Sequence, residues 1–189
     1  IDVIASSKDK NFNYIPKNIS IPNDASYLHY TTNNTIFGTQ FKSIPETNIP
    51  VVADMSSDIL SKPVDVSKFD LIYAGVQKNI GPSGATLVIV KKGILGKTGR
   101  TLTSMMDYQV HIDKESMFNT PPCFSIYVSM LTMEWLKELG GVKAIEKINT
   151  EKAELLYAEI DRNSLFVGAA NVEDRSLMNP TFKMLDESL

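Results

Sequence analysis

Phe69-Asp-Leu-Ile-Tyr-Ala-Gly-Val-Gln-Lys78-Asn-Ile-Gly-Pro82 reads as a short buried strand that ends in a tight turn, with a lysine standing in the turn. Upstream, Ile49-Pro-Val-Val-Ala-Asp54 is a second strand-like run, and it ends in a carboxylate. Downstream, Ala85-Thr-Leu-Val-Ile-Val90 follows a Gly-Pro-Ser-Gly turn and is apolar, β-branched and of strand length. Apolar runs without alternation predict a sheet covered on both faces, as in α/β folds. Tyr27–Thr31 is also strand-like, and Asn33-Asn34-Thr35 follows it as a turn. The stretches 8–26 and 41–48, rich in Asn, Pro and Lys or bounded by proline, read as connections.

After Pro121-Pro122 the apolar period changes from two to 3.6. Phe124, Tyr127, Val128, Leu131 and Trp135 fall on one helical face, and Gly140-Gly141 stops that helix. A second helix follows with a stripe of Ile145, Ile148, Leu156 and Ile160, and both stripes are predicted to be core. Strand-like runs return at Leu165–Val167 and Leu177–Met184. The glycine pair marks the expected domain boundary, with residues 1–140 on one side and 141–189, opening on a linking helix, on the other. Ile1-Asp-Val-Ile4 reads as a strand in mid-fold, and the chain closes just after the apolar run Phe182–Leu185, so both ends are expected to be cuts in a longer chain.

The composition is that of an ordinary globular chain: 189 residues, 43% hydrophobic and 22% charged, with a formal net charge of −3. No basic block or basic-aromatic stripe is present, which argues against a nucleic-acid or anionic-membrane surface. No apolar stretch reaches the roughly 18 residues a membrane helix needs. Cys123 is the single cysteine, so an internal disulfide and a multi-cysteine metal site are excluded. His29 and His111 lack a metal spacing, and His29 reads as a core or interface histidine. No metal is expected, and a cytoplasmic, reducing compartment is.

The chemistry lies in Lys78 and Asp54. An amine and a carboxylate at the ends of two buried strands can face each other across a planar, positively polarised ring. Pyridoxal 5'-phosphate needs that pair: a lysine for covalent attachment and an acid opposite the pyridine nitrogen. The blander readings are a solvated surface lysine and, for Asp54, a cap or turn carboxylate ahead of Ser56-Ser57. Gly93-Ile-Leu-Gly96-Lys97-Thr98 looks like a phosphate-binding P-loop, but the glycine needed five residues before the Gly-Lys pair is replaced by Lys91.

Three motifs in order carry a more specific resemblance: Ala53-Asp54-Met-Ser-Ser57, Ile72-Tyr-Ala-Gly-Val-Gln77-Lys78-Asn-Ile-Gly-Pro82 and Ser116-Met-Phe-Asn119-Thr120-Pro-Pro122. Together they resemble the phosphoserine aminotransferases, class-V pyridoxal-phosphate-dependent enzymes, and the likeness runs from Tyr27-Leu-His-Tyr30 to Arg175-Ser-Leu-Met-Asn179. The resemblance implies a fold-type I α/β architecture: part of a mixed, mostly parallel large-domain sheet with covering helices, then the start of the small C-terminal domain. It implies amino-group transfer between glutamate/2-oxoglutarate and 3-phosphohydroxypyruvate/O-phosphoserine in serine biosynthesis, with a related role in pyridoxine synthesis. Lys78 matches the family's catalytic lysine, Asp54 the partner of the pyridine nitrogen and Thr35 the threonine at the ring's phenolic edge. Gln77 matches a phosphate ligand. So do Asn119 and Thr120, which in the family reach the site of the other subunit of a homodimer. The family's substrate-clamping arginines and histidine have no counterpart in Arg100, Arg162 or Arg175, so these residues alone are expected not to transaminate. Two other readings stand beside this one: a different fold-type I enzyme such as a cysteine desulfurase, with Cys123 as the tempting residue, and a catalytically silent fragment. Cys123, after Pro-Pro at a helix start, fits a buried small residue better than a nucleophile.

Overall fold

The chain is described from a computed structural model over residues 1–186. Four strands form the main sheet: β1 (Leu28–Thr31), β4 (Val51–Asp54), β5 (Leu71–Gly75) and β6 (Thr86–Val90), in the order β1-β4-β5-β6. β1, β4 and β5 run parallel, and β6 returns antiparallel to β5, so the sheet is mixed and mostly parallel. The short strands β2 (Asn33–Asn34) and β3 (Thr39–Gln40) pair as a small hairpin. The expected turn at Asn33–Thr35 is thus displaced: Asn33 and Asn34 are strand, and the turn begins at Thr35.

The sheet is covered on one face. Val51, Ala53, Ile72 and Ala74 point into a core closed by Met55, Ile59, Phe69, Val76 and Ile80. The opposite face carries His29, Thr31, Val52, Asp54, Leu71 and Tyr73, all exposed or half-buried, against the expectation of two covered faces. Ile1–Ile4, expected as a strand, has no regular structure, for no neighbouring strand supplies hydrogen-bond partners.

Three helices follow: α1 (Tyr108–Asp113), α2 (Cys123–Glu138) and α3 (Gly141–Arg162). α1 is absent from the sequence reading. The apolar stripe of α2 is not core here: Phe124 is 72% and Trp135 52% exposed, while Ser125 and Ser129 are the buried positions. The reason is the closeness of the 81–84 loop. A Cβ on Gly81 or Gly84 would lie 2.8 Å from the hydroxyl of Ser129 or Ser125, and the Ser125 hydroxyl donates to the Ser83 carbonyl at 2.5 Å. Small polar residues fit that seam and the aromatic residues face away. Cys123, expected to be a buried small residue, is likewise exposed.

Gly140 and Gly141, at φ of 108° and 74°, occupy the left-handed region that ends α2, and α3 starts at once. α3 buries Ala153, Tyr157 and Ile160 against Phe166 and Leu177, whereas Leu156 of the expected stripe is exposed. β7 (Phe166–Gly168) and β8 (Phe182–Met184) form a separate antiparallel pair; residues 177–181 of the longer expected strand are not strand. The last three residues of the expected second domain, 187–189, lie outside the described residues.

A buried polar seam joins the 174–181 segment to the hairpin. The Asn33 side chain donates to Ser57 Oγ (2.9 Å) and Asn179 Oδ1 (2.6 Å) and accepts from the Ser176 hydroxyl (2.5 Å). Beside it, Asp58 accepts from the Thr32 hydroxyl (2.5 Å) and the Gln40 amide (3.2 Å), and Gln40 Oε1 accepts from the Leu177 N–H. Asn33, Thr32, Gln40, Ser57, Asp58 and Ser176 are buried and each is bonded, which offsets part of the cost of taking them out of water.

Candidate active site

Three parallel strands bring their C-terminal ends side by side, and in such sheets ligands sit in the crevice beyond those ends. Thr31, Asp54 and Tyr73 are register neighbours across β1, β4 and β5. The chain leaving β5 turns on Val76, whose carbonyl accepts the N–H groups of Ile80 and Gly81, at 3.1 and 2.8 Å. Val76 and Ile80 are buried and anchor this turn; Gln77 and Lys78 between them are exposed. The Asn79 side chain fixes the turn further by donating to the Ile59 carbonyl at 2.5 Å.

Lys78 Nζ donates to the Thr35 hydroxyl at 3.1 Å, although the two are 43 residues apart in sequence. Asp54, at the end of β4, is half-buried; its Oδ1 accepts the Ser56 N–H at 2.8 Å. The turn role is therefore present for Asp54, and it leaves acceptor capacity on the carboxylate. The Ser56 hydroxyl accepts the Gly75 N–H at 3.0 Å, tying the ends of β4 and β5 together. Gln77 folds back over Gly75: a Cβ there would lie 2.6 Å from Gln77 Oε1. Thr35, Asp54, Gln77 and Lys78 are thus gathered at one sheet edge.

Asn119 and Thr120 are not gathered with them. Both are exposed, and the Asn119 amide bonds the neighbouring Thr120 carbonyl at 3.2 Å. Arg162 and Arg175 are engaged in bidentate pairs with Glu159 and Asp161.

Sequence reasoning missed Tyr73, and of the two places it gave His29, core or interface, the core is excluded. His29 is exposed, and its Nε2 lies 3.0 Å from the Tyr73 hydroxyl. Burial first, and then the charge of the nearby Asp54 carboxylate, push that phenol above its ordinary range. Strand alternation within β1, β4 and β5 was the available signal, since it sets His29, Asp54 and Tyr73 on one face.

Residues 1–189 match the aminotransferase class-V family, to which this chain belongs. The phosphoserine aminotransferase of Flavobacterium psychrophilum is 71% identical over 180 residues, which are 95% of this chain and 51% of that protein. Among solved structures, the phosphoserine aminotransferase of Bacillus circulans subsp. alkalophilus superposes with a TM-score of 0.94 at 42% identity, covering 99% of this chain and 53% of that one. The pyridoxal-phosphate-bound phosphoserine aminotransferase of Trichomonas vaginalis gives a TM-score of 0.92 at 35% identity, covering 98% and 52%. The chain spans about half the length of the curated relatives it matches. Among the described residues no helix is long and apolar enough to cross a membrane.

Proposed function

We propose that this chain is the lysine-bearing part of a phosphoserine aminotransferase, which moves an amino group between glutamate/2-oxoglutarate and 3-phosphohydroxypyruvate/O-phosphoserine on pyridoxal 5'-phosphate. The observation that carries the reading is the 3.1 Å bond from Lys78 to Thr35 beside the strand end that bears Asp54. The donor set suits the cofactor: an amine that is exposed and free to react, a carboxylate for the ring nitrogen, a hydroxyl, and a neutral amide in Gln77 for a phosphate. When bound, the cofactor supplies an electron sink for the charge left on the substrate carbon.

Each residue then has one task. Lys78 would hold the cofactor covalently, and its Nζ would then take up and return the proton of the substrate's α-carbon. Asp54 would face the ring nitrogen and pair with it. Thr35 donates to the ring's phenolic oxygen, and Gln77 donates to the phosphate. Asn119 and Thr120 serve the phosphate of the other subunit in a homodimer; their exposure supports that assignment. The division into a large domain, 1–140, and the beginning of a small one, 141–189, is supported by two separate buried clusters. A role in serine and pyridoxine biosynthesis and a cytoplasmic setting complete the reading.

The test uses the full-length protein. After loading with pyridoxal 5'-phosphate and borohydride reduction, mass spectrometry is expected to find the cofactor on the Lys78 peptide. Lys78→Ala is expected to remove both that label and glutamate formation from phosphoserine and 2-oxoglutarate. Activity near the parent level in Lys78→Ala would refute the assignment.

A further inference from the structure

We infer that Thr181, supported by Ser176, is a positioning residue for Thr35: it holds the Thr35–Gly38 turn where the Thr35 hydroxyl meets Lys78, and so fixes the donor at the phenolic edge of a bound cofactor. The inference deepens the role proposed for Thr35 and rests on it.

The turn depends on support from outside. It closes the β2–β3 hairpin, whose strands are two residues each and stand apart from the main sheet. A lone two-stranded hairpin is marginally stable at best. Within it, the Asn34 carbonyl accepts the Gly38 N–H at 2.9 Å, and Asn34 Oδ1 accepts the N–H groups of Ile36 and Phe37 at 3.2 and 3.3 Å. These bonds set the shape of the turn, but their partners all belong to the hairpin, so they leave its place relative to Lys78 open. That place matters closely. The Thr35 hydroxyl lies 3.1 Å from Lys78 Nζ, and a shift of about 0.5 Å would take the contact out of hydrogen-bond range.

Two segments supply the place. On one side, Ser57 accepts from the Asn33 side-chain amide and donates to the Asn33 backbone carbonyl, both at 2.9 Å, which ties the hairpin to the strand end that bears Asp54. On the other side stands the 176–181 segment, more than 140 residues further along the chain. The Thr181 hydroxyl donates to the Phe37 carbonyl at 3.0 Å, the Ser176 N–H to the Gly38 carbonyl at 2.8 Å, and the Ser176 hydroxyl to Asn33 Oδ1 at 2.5 Å. The approach leaves no room for a side chain at the end of the turn, since a Cβ on Gly38 would lie 2.8 Å from the Asn179 carbonyl oxygen. Bonds from the far segment thus fall before Thr35 and after it. Thr181 is itself anchored, because its carbonyl accepts the Ala169 N–H at 3.0 Å beside the β7–β8 pair. Ser176 is fully buried and its oxygen also accepts two N–H groups, so replacing it disturbs several contacts at once. Thr181 is half-buried, and its bond to the turn is removed by deleting one hydroxyl.

A merely structural threonine would change stability and leave the bound cofactor's spectrum alone, so the test reads both. The full-length protein is loaded with pyridoxal 5'-phosphate, and its visible absorbance is titrated with pH as the nitrogen joining Lys78 to the cofactor loses its proton. The parent is compared with Thr35→Val, Thr181→Val, Thr181→Ala, Thr181→Ser and the double variant Thr35→Val with Thr181→Val, and melting temperatures are recorded beside the titrations. A donor at the phenolic oxygen stabilises the form that has lost the proton, so losing the donor raises the midpoint. Thr35→Val is expected to raise it by about one pH unit and to weaken cofactor binding about 3- to 10-fold, the range one hydrogen bond supports. Thr181→Val and Thr181→Ala should raise it by less, about 0.3 to 0.5 units. Thr181→Ser, which keeps the hydroxyl, should restore the parent midpoint. In the Thr35→Val background, Thr181→Val should add nothing, because it acts through Thr35. A midpoint unmoved by Thr181→Val and Thr181→Ala, whatever their melting temperatures, overturns the inference. So does a Thr181→Val shift that persists in full without the Thr35 hydroxyl. A midpoint unmoved by Thr35→Val refutes the role of Thr35 itself, and the inference with it.

Discussion

Replacing Asn33 by alanine tests whether the polar seam under the Thr35 turn holds the chain together. Asn33 is 2% exposed and its amide makes three bonds. The Ser57 hydroxyl keeps a partner in the substituted protein, because it also donates to the Asn33 backbone carbonyl at 2.9 Å. The Ser176 hydroxyl does not: its oxygen still accepts from the Met178 and Asn179 N–H groups, but its proton loses its acceptor. Asn179 Oδ1 loses its donor as well. Two polar groups are left unsatisfied, one of them fully buried, at about 1–3 kcal/mol each. Water can reach the part-buried Asn179 more readily, so the sum is placed near the lower end, about 3 kcal/mol. For a domain of this size that is a fall in Tm of roughly 6–12 °C. Differential scanning calorimetry of the full-length protein measures it, with Thr35→Ala, whose hydroxyl meets an exposed lysine, expected to shift Tm far less. Asn33→Ala melting within about 2 °C of the parent would refute the accounting. Strict additivity of Asn33→Ala and Ser176→Ala would refute it too, since residues that share a buried bond must couple.

Three further outcomes follow from single contacts. Asp54→Ala is expected to weaken cofactor binding and slow transamination by about 100-fold or more, with Asp54→Glu recovering part; a loss of thermal stability with turnover per bound cofactor unchanged would leave Asp54 with its turn role alone. Burial raises the Asp58 carboxyl above its ordinary value, against the opposing bonds from Thr32 and Gln40. The fold therefore binds that proton better than the unfolded chain does, so the parent's stability relative to Asp58→Asn should rise as pH falls through the raised value toward about 3.9 and level off below it; urea denaturation across that window checks the sign. Gly84→Ala places a methyl 2.8 Å from Ser125 Oγ at a φ of 125°, and is expected to destabilise the protein by about 2 kcal/mol, read by urea titration.

The strands that lead to Asp54 and Lys78 were legible because each is a compact apolar run closed by a turn signal. What pattern reading could not supply was the direction in which amphipathic surfaces face. In α2 the aromatic stripe has the right period for a core, yet the close approach of Gly81 and Gly84 selects the opposite, serine-bearing side. That choice depends on a contact 40 residues distant and leaves no local trace. The same holds for the seam at Asn33: Asn-Asn-Thr reads as a turn until Ser176 and Asn179, more than 140 residues away, claim its side chain. His29 and Tyr73 show the reverse case, where the information was local and unused. Period-two alternation in three short strands fixes which residues share a face, and strand order then fixes which of them meet. Apolar period locates elements, whereas polar residues on the open face of a sheet locate function, because their cost is tolerated where they have something to hold.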